Sequence, residues 1–412
     1  MEVRAMRTAL IAIICILISA TIASAAPVLD QDAQRRVDAV VIQAIEAHTT
    51  PSAGIVIGTK DGIIYAKAYG HLTYEADSPP ATLDTLYDMA SCSKAVGTTS
   101  TAMMLVQDEK LGLDDRVSKY LPDWDRDDRR SVTIRNLMTH TSGLPSYTSA
   151  EKAEAQRRPG EPKPDALIRY IASLPLEYKT GEGHIYACLN FLTLARVNEE
   201  VAGVCQETFL RRRLFVPLGM QNSGYYLSDK KKLMAAPTVG GEHFRQGRVH
   251  DPLADYYCSG YRCSGNAGLF STANDLSKFC RMMLSDGVYN GHRIFAPETI
   301  DLFSTNALPE GVRGGQGVGW GLSTRQPFAT PLNNSPKKAV FTHAGYTGTY
   351  IYFDRLAGTF LIVLTNRVYP DDKTSDYRIR TGIRRIMLET DPIYKAVPPP
   401  VGGAPTPSAI DH

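Results

Sequence analysis

Thr85-Leu86-Tyr87-Asp88-Met89-Ala90-Ser91-Cys92-Ser93-Lys94 runs directly into a long Ala- and Met-rich apolar stretch, and its last four residues are the most informative in the chain. A serine one helical turn before a lysine puts hydroxyl and amine on the same helix face, where a lysine held neutral can take the serine's proton. Ser149 to Lys152, Ser228 to Lys231 and Ser335 to Lys338 repeat the spacing, in polar or charged surroundings that read as loops. Spacing alone therefore selects nothing. Only Ser91 opens a helical pattern, in which Ala95, Thr98, Thr99, Met103, Met104, Leu105 and Val106 precede a charged exit at Asp108-Glu109-Lys110-Leu111-Gly112.

On the N-terminal side, residues 29 to 48 are amphipathic, with Val37, Val40, Val41, Ile42, Ala44 and Ile45 set among Asp, Gln and Arg residues, and predict a helix. Ala53 to Gly58, a Lys60-Asp61-Gly62 turn and Ile63 to Gly70 then predict a β-hairpin. Helical patterns dominate from Ser91 to about Asp286, broken by Gly- and Pro-bearing loops at 141–164 and 240–265. Strands return at 338–343, 347–354 and 359–365, and a basic amphipathic helix follows at 376–388. Strands at both ends must pair with each other to form one adequate sheet, which makes the helical region an insertion at its side. The pattern predicts an α+β chain with a sheet lobe at about 26–90 and 290–395, a helical lobe at about 91–289, and a disordered Pro-rich tail at 396–412.

The 412 residues are 43% hydrophobic and 21% charged, enough to bury a large core. A formal net charge of +2 gives no electrostatic argument for nucleic acid or for an anionic membrane. Met1 to Arg7 is basic, Thr8 to Ala26 carries no charge, and the stretch ends Ala23-Ser24-Ala25-Ala26-Pro27. These features describe an export signal of about residues 1–25 and a periplasmic or secreted protein, the rival reading being an uncleaved membrane anchor. Cys15 follows Ile14, where a lipid-attachment site would want a small residue.

Export puts the six remaining cysteines in an oxidising compartment. Cys258 and Cys263 are spaced to close a small disulfide loop, whereas Cys205 and Cys280 sit in apolar helical patterns and read as buried thiols. No His-Glu-x-x-His pair occurs, and Cys258 with Cys263 lacks a partner pair at zinc spacing. The sequence calls for no metal and no cofactor.

Several segments together resemble the serine beta-lactamase-related hydrolases, a family of class C beta-lactamases, D-alanyl-D-alanine carboxypeptidases, esterases and amidases. Besides Ser91 to Lys94, they are Leu111 to Pro122, Ile134 to Leu144 with its His140-Thr141-Ser142-Gly143-Leu144, Gly268 to Leu276, and His343 to Thr349. The resemblance implies a beta-lactamase/transpeptidase-like fold: an antiparallel sheet flanked by helices, beside an inserted all-helical lobe. It implies a cleft between the two, with Ser91, Lys94 and Tyr186 catalytic and the backbone N–H groups of Ser91 and Tyr346 forming an oxyanion hole.

Two positions depart from the family's pattern. Cys188 stands two residues after Tyr186, where Asn is usual, and a thiol offers only weak versions of the amide's donor and acceptor. His343, with Ala344 and Gly345, occupies the substrate-binding strand where many members carry lysine, and a histidine near its unperturbed pKa of about 6.5 is mostly neutral at pH 7. Cys92 and Cys188 each adjoin a catalytic motif, so the two thiols are expected to lie close and to interact as a redox-sensitive pair. The function implied is an exported esterase or amidase working through a Ser91 acyl-enzyme on a small ester or amide or a cell-wall peptide. The competing readings are a D-alanyl-D-alanine carboxypeptidase or beta-lactamase, and a non-catalytic envelope protein that uses the cleft to bind ligand. The oligomeric state is left open.

Overall fold

The computed structural model describes residues 29–259, 262–323, 339–374 and 377–390. The segment expected to be an export signal with Cys15, the Ser335–Lys338 pair and the Pro-rich tail lie outside the described residues.

Helix α1 (Gln31–Glu46) is capped by Asp30, whose carboxylate accepts from Ala33 N–H, and leads into the hairpin β1 (Ser52–Thr59) and β2 (Ile63–Gly70). After the helical region come β3 (Gly321–Ser323), β4 (Val340–Ala344), β5 (Tyr350–Asp354) and β6 (Thr359–Thr365), then a last helix, Arg378–Thr390. The strands form one antiparallel sheet in the order β2-β1-β6-β5-β4-β3. β1 pairs with β6 from Ala53↔Thr365 to Thr59↔Thr359, so the two ends of the chain build one sheet. β3 is a short edge strand that the sequence pattern did not signal.

Period-two alternation divides the strand residues between two cores. Ala53, Ile55 and Ile57 of β1, Tyr350 and Tyr352 of β5, and Leu361 and Val363 of β6 pack on one face with α1 and the C-terminal helix. Val56, Ile351, Phe353, Phe360, Ile362 and Leu364 face the other way, into a larger core shared with the helical region. Being buried on both faces, β1 and β6 read as nearly continuous apolar runs. The helix Ala273–Leu284, which the sequence assigns to the helical lobe, packs on this second face, and Gly54 leaves it room: a Cβ there would lie 3.7 Å from Ala273 Cβ.

The helix opened by Ser91 is not α-helical throughout. Lys94–Thr99 is π-helical and widens the turn before α2 (Ser100–Gln107) continues in regular form. Gly97 lies in this wide turn, and the Tyr225 hydroxyl approaches so closely that a Cβ at Gly97 would stand 2.3 Å from it. Behind the turn, Thr98 Oγ1 donates to Gly265 O at 2.9 Å. Gly265 is wedged in turn against the helix α3 (Cys188–Ala202). Among the described residues no helix is long and apolar enough to cross a membrane.

A Cβ on Gly265 would lie 1.8 Å from Phe191 O and 2.7 Å from Ala195 Cβ, both on α3. Gly265→Ala is therefore expected to destabilise the protein by about 3 kcal/mol, the upper range for overpacking. Gly62→Ala, with nothing within 4 Å of the new methyl, should change stability by less than about 0.5 kcal/mol. Denaturant midpoints of the two variants check the contrast, and equal midpoints would remove the wedge from the account.

Candidate active site

Ser91 sits three residues before the π-helical segment, just after Ala90, whose backbone is left-handed at φ 43°. A non-glycine residue is rarely found there without support. Support comes from Asp88, whose carboxylate accepts from Ala90 N–H at 2.8 Å and from His250 N–H at 2.7 Å. Thr347 and Thr349 hydroxyls, on the segment joining β4 to β5, donate to Asp88 O and Met89 O. The sheet thus clamps the turn that presents the serine.

Lys94 is fully buried. Its Nζ lies 2.9 Å from Ser91 Oγ, 2.9 Å from Asn266 O and 3.4 Å from Cys188 Sγ, and 5.0 Å from the centre of the Tyr186 ring. Asn266 is itself fixed, donating to Asp251 at 3.1 Å and accepting from Ser264 Oγ at 2.6 Å; Tyr147 completes the chain by donating to Asp251. Burial disfavours the Lys94 ammonium, but the ionised forms of Cys188 and Tyr186 favour it more strongly, and its pKa lies above the ordinary lysine value. Burial raises the Tyr186 pKa, against the pull of Lys94.

Tyr186 precedes α3, and its loop is tied to His140. Ile185 N–H donates to His140 O at 3.1 Å and Ala187 N–H to His140 Nδ1 at 3.0 Å. The two rings lie 4.6 Å apart. Asn190, four residues after the tyrosine, does not stand in for the absent motif Asn. It is buried, accepts from Ser142 Oγ at 2.6 Å and turns its amide toward His140.

Ser91, Tyr186, His343 and Tyr346 line one cleft of about 220 Å³ with Ala344 and Gly345, where His140, His184 and Arg380 join them. Among the described residues neither Ser91 N–H nor Tyr346 N–H has a hydrogen-bond acceptor. His343 is buried, with Nδ1 3.0 Å from Ala344 O. Burial, aided by the Lys94 charge, pushes its pKa down to about 3. His140 lies well below its usual value for the same two reasons.

The competing serine–lysine spacings carry no such surroundings. Ser149 caps the helix Ala150–Ala155, and Ser228 precedes the short exposed helix Asp229–Lys232. The cysteine expectations need correction, since all six described cysteines are free. Cys92 turns its thiol toward His343 O and Thr349 on the sheet side, whereas Cys188 faces Lys94, so no Cys92–Cys188 pair forms. Cys258 does not close a loop with Cys263; its sulfur accepts from Ser264 N–H. Cys280 is buried as expected, but Cys205 is a half-buried helix cap beside Thr208. Sequence reasoning missed Asn266, Asp251 and Tyr147. The only signal for them was the Gly265-Asn266-Ala267-Gly268 spacing just ahead of a motif already noted.

Known proteins resemble this chain in sequence and in fold. A putative D-alanyl-D-alanine carboxypeptidase of Escherichia coli (strain K12) is 28% identical over 346 residues, covering 77% of this chain and 78% of that protein. An N-acetylmuramyl-L-alanine amidase of Bacillus subtilis (strain 168) is 29% identical over 368 residues, 81% of this chain and 80% of the relative. Among solved structures, EstCE1, a hydrolase with promiscuous acyltransferase activity, superposes with a TM-score of 0.67 at 23% identity, over 86% of this chain and 98% of its own. The D-alanine carboxypeptidase AmpC from Burkholderia cenocepacia gives 0.66 at 21% identity, over 87% and 99%; both likenesses concern the fold. The Beta-lactamase family model matches residues 37–382, and the chain belongs to the Beta-lactamase family of hydrolases.

Proposed function

We propose that this protein is an exported serine hydrolase that works through a covalent acyl-enzyme on Ser91, acting as an esterase or amidase. The observation that carries the reading is the 2.9 Å contact between Ser91 Oγ and a fully buried Lys94 whose other contacts are Asn266 O and Cys188. Ser91 Oγ attacks the substrate carbonyl, and its proton passes to the Lys94–Tyr186 pair, which later delivers a proton to the leaving group. The unspent N–H groups of Ser91 and Tyr346 are suited to receive the developing oxyanion. Water then attacks the ester and releases the acyl group.

Cys188 in the amide's usual place and a neutral His343 both weaken the grip that a beta-lactamase or carboxypeptidase needs on an acylamino side chain and a carboxylate. They favour an esterase or general amidase. The relatives favour a second reading, a cell-wall amide or peptide substrate, since their names describe a D-alanyl-D-alanine carboxypeptidase and an N-acetylmuramyl-L-alanine amidase. Export rests on the basic start, uncharged middle and small-residue end of residues 1–26.

Ser91→Ala should lower hydrolysis of short p-nitrophenyl esters by at least about 10³-fold and abolish fluorophosphonate labelling. Retained labelling would sink the nucleophile. A fluorescent penicillin that labels Ser91 and leaves slowly would favour the second reading.

The buried histidines also make stability depend on pH. A folded pKa near 3 against about 6.5 in the unfolded chain means that the unfolded state binds the proton more readily below pH 6.5. Stability is therefore full above that pH and falls progressively toward pH 3. Between pH 7 and pH 5 His343 should cost about 2 kcal/mol, and His140 acts in the same direction. Asp88, whose buried carboxyl is pushed up to about 6, works oppositely over part of this range. The comparison of wild type with His343→Gln isolates the histidine: unfolding free energies at the two pH values should diverge by about 2 kcal/mol, and parallel losses would refute a neutral His343.

A further inference from the structure

His140 and His343 line the same cleft as Ser91 but are held in opposite tautomers. A backbone N–H can only donate, so the 3.0 Å bond from Ala187 N–H makes His140 Nδ1 an acceptor, and the Asn190 amide approaches the same nitrogen at 3.3 Å. The proton of a neutral His140 must then sit on Nε2. A carbonyl can only accept, so the 3.0 Å contact of His343 Nδ1 with Ala344 O puts the proton of that ring on Nδ1 and leaves Nε2 with a lone pair. Burial, and after it the Lys94 charge, opposes a second proton on either ring. Among the described residues neither Nε2 has a hydrogen-bond partner. The Tyr186 ring stands beside both, 4.6 Å from His140 and 6.3 Å from His343.

Much of the backbone around His140 serves to hold it. It is 1% exposed and adopts a left-handed φ of 58°, and its carbonyl accepts from Ile185 N–H and from the Tyr178 hydroxyl at 3.1 Å. An imidazole locked so firmly by its inner nitrogen has a fixed direction for its outer one. Both rings line the cleft, so His140 can offer it a donor and His343 an acceptor, neither carrying charge.

We propose that His140 and His343 act as a donor–acceptor pair that selects a substrate bearing a neutral amide, its C=O accepting from His140 Nε2–H and its N–H donating to His343 Nε2. A carboxylate in that place has no proton to give and would set an oxygen against the His343 lone pair. A site built to hydrogen-bond a group discriminates against the analogue that cannot answer it. Arg380 belongs to the same lining, with its guanidinium 4.0 Å from the Tyr377 ring centre, and a carboxylate-selecting cleft would use it. The inference rests on the Ser91 reading for its kinetics but not for its geometry.

Two measurements on the full chain keep these apart. In protein labelled with ¹⁵N-histidine, a long-range ¹H–¹⁵N correlation reads each tautomer directly. The signals lost in His140→Asn should report Nε2–H, and those lost in His343→Gln should report Nδ1–H; either ring in the opposite tautomer overturns the proposal whatever Ser91 does. The second compares p-nitrophenyl esters whose acyl chains end in a carboxamide or in the matching carboxylate. Wild type should prefer the carboxamide by about 10–100-fold in kcat/KM. His140→Asn keeps an acceptor near Ala187 N–H and tolerates the left-handed backbone, yet it and His343→Gln should each cut the carboxamide-to-carboxylate ratio to about threefold or less, a ratio within one variant that a general loss of activity does not move. A ratio that survives both variants, or a carboxylate preference removed by Arg380→Met, overturns the pair. If neither ester is turned over, the Ser91 reading fails alone, and titrating the free carboxamide and carboxylate ligands against the labelled histidines decides the selection: only the carboxamide should shift both rings.

Discussion

A lysine with no exposed surface is expensive to bury, and the centre of this molecule is arranged around that cost. Asn266 O, Ser91 Oγ and the Cys188 sulfur all converge on its Nζ. Each of these is fixed from a different part of the chain: the serine by a turn clamped from the sheet, the carbonyl by a loop wedged against α3, the thiol by the start of α3 itself. The lysine is thus the point at which sheet, π-helical turn and helical region meet. Burial keeps the two nearby histidines neutral, and the Lys94 charge acts in the same direction.

Elements with strong period were legible in the sequence. The hairpin at Ser52–Gly70, the late strands, both flanking helices and the need for the chain's two ends to share a sheet all follow from alternation and amphipathicity, which depend on each residue's own chemistry. What periodicity could not convey was the π-helical turn at Lys94–Thr99, because an i,i+5 turn is imposed by neighbours such as Tyr225 and Gly265 rather than by local preference. β3, three residues long, carries too little pattern to register.

The site divides in the same way. Ser91, Lys94, Tyr186 and His343 belong to motifs recognisable in one dimension, and the fold brings them to one cleft. The groups that orient them act through main-chain atoms or across long separations: Asn266 offers its carbonyl, Asp88 grips two backbone N–H groups, and His140 holds a loop some 45 residues away. Side-chain identity says little about a residue whose contribution is a backbone oxygen. The cysteines misled for a related reason. Proximity of motifs in sequence does not give the direction of a thiol, and Cys92 and Cys188 serve opposite sides of the nucleophile's turn.

The pairing of β1 with β6 also governs the order in which the molecule is made. β1 lies inside the sheet, yet its neighbour on one side is β2, translated at once, and on the other a strand that begins 300 residues later. At ribosomal rates of roughly 5–20 residues per second, about 15–60 s separate the two. For that interval β1 has one open edge, while α1, already made, is available for one of its faces and the helix Ala273–Leu284 becomes available for the other before β6 is complete. The completed sheet is therefore a product of high contact order, closed only after the helical region between its halves has been made.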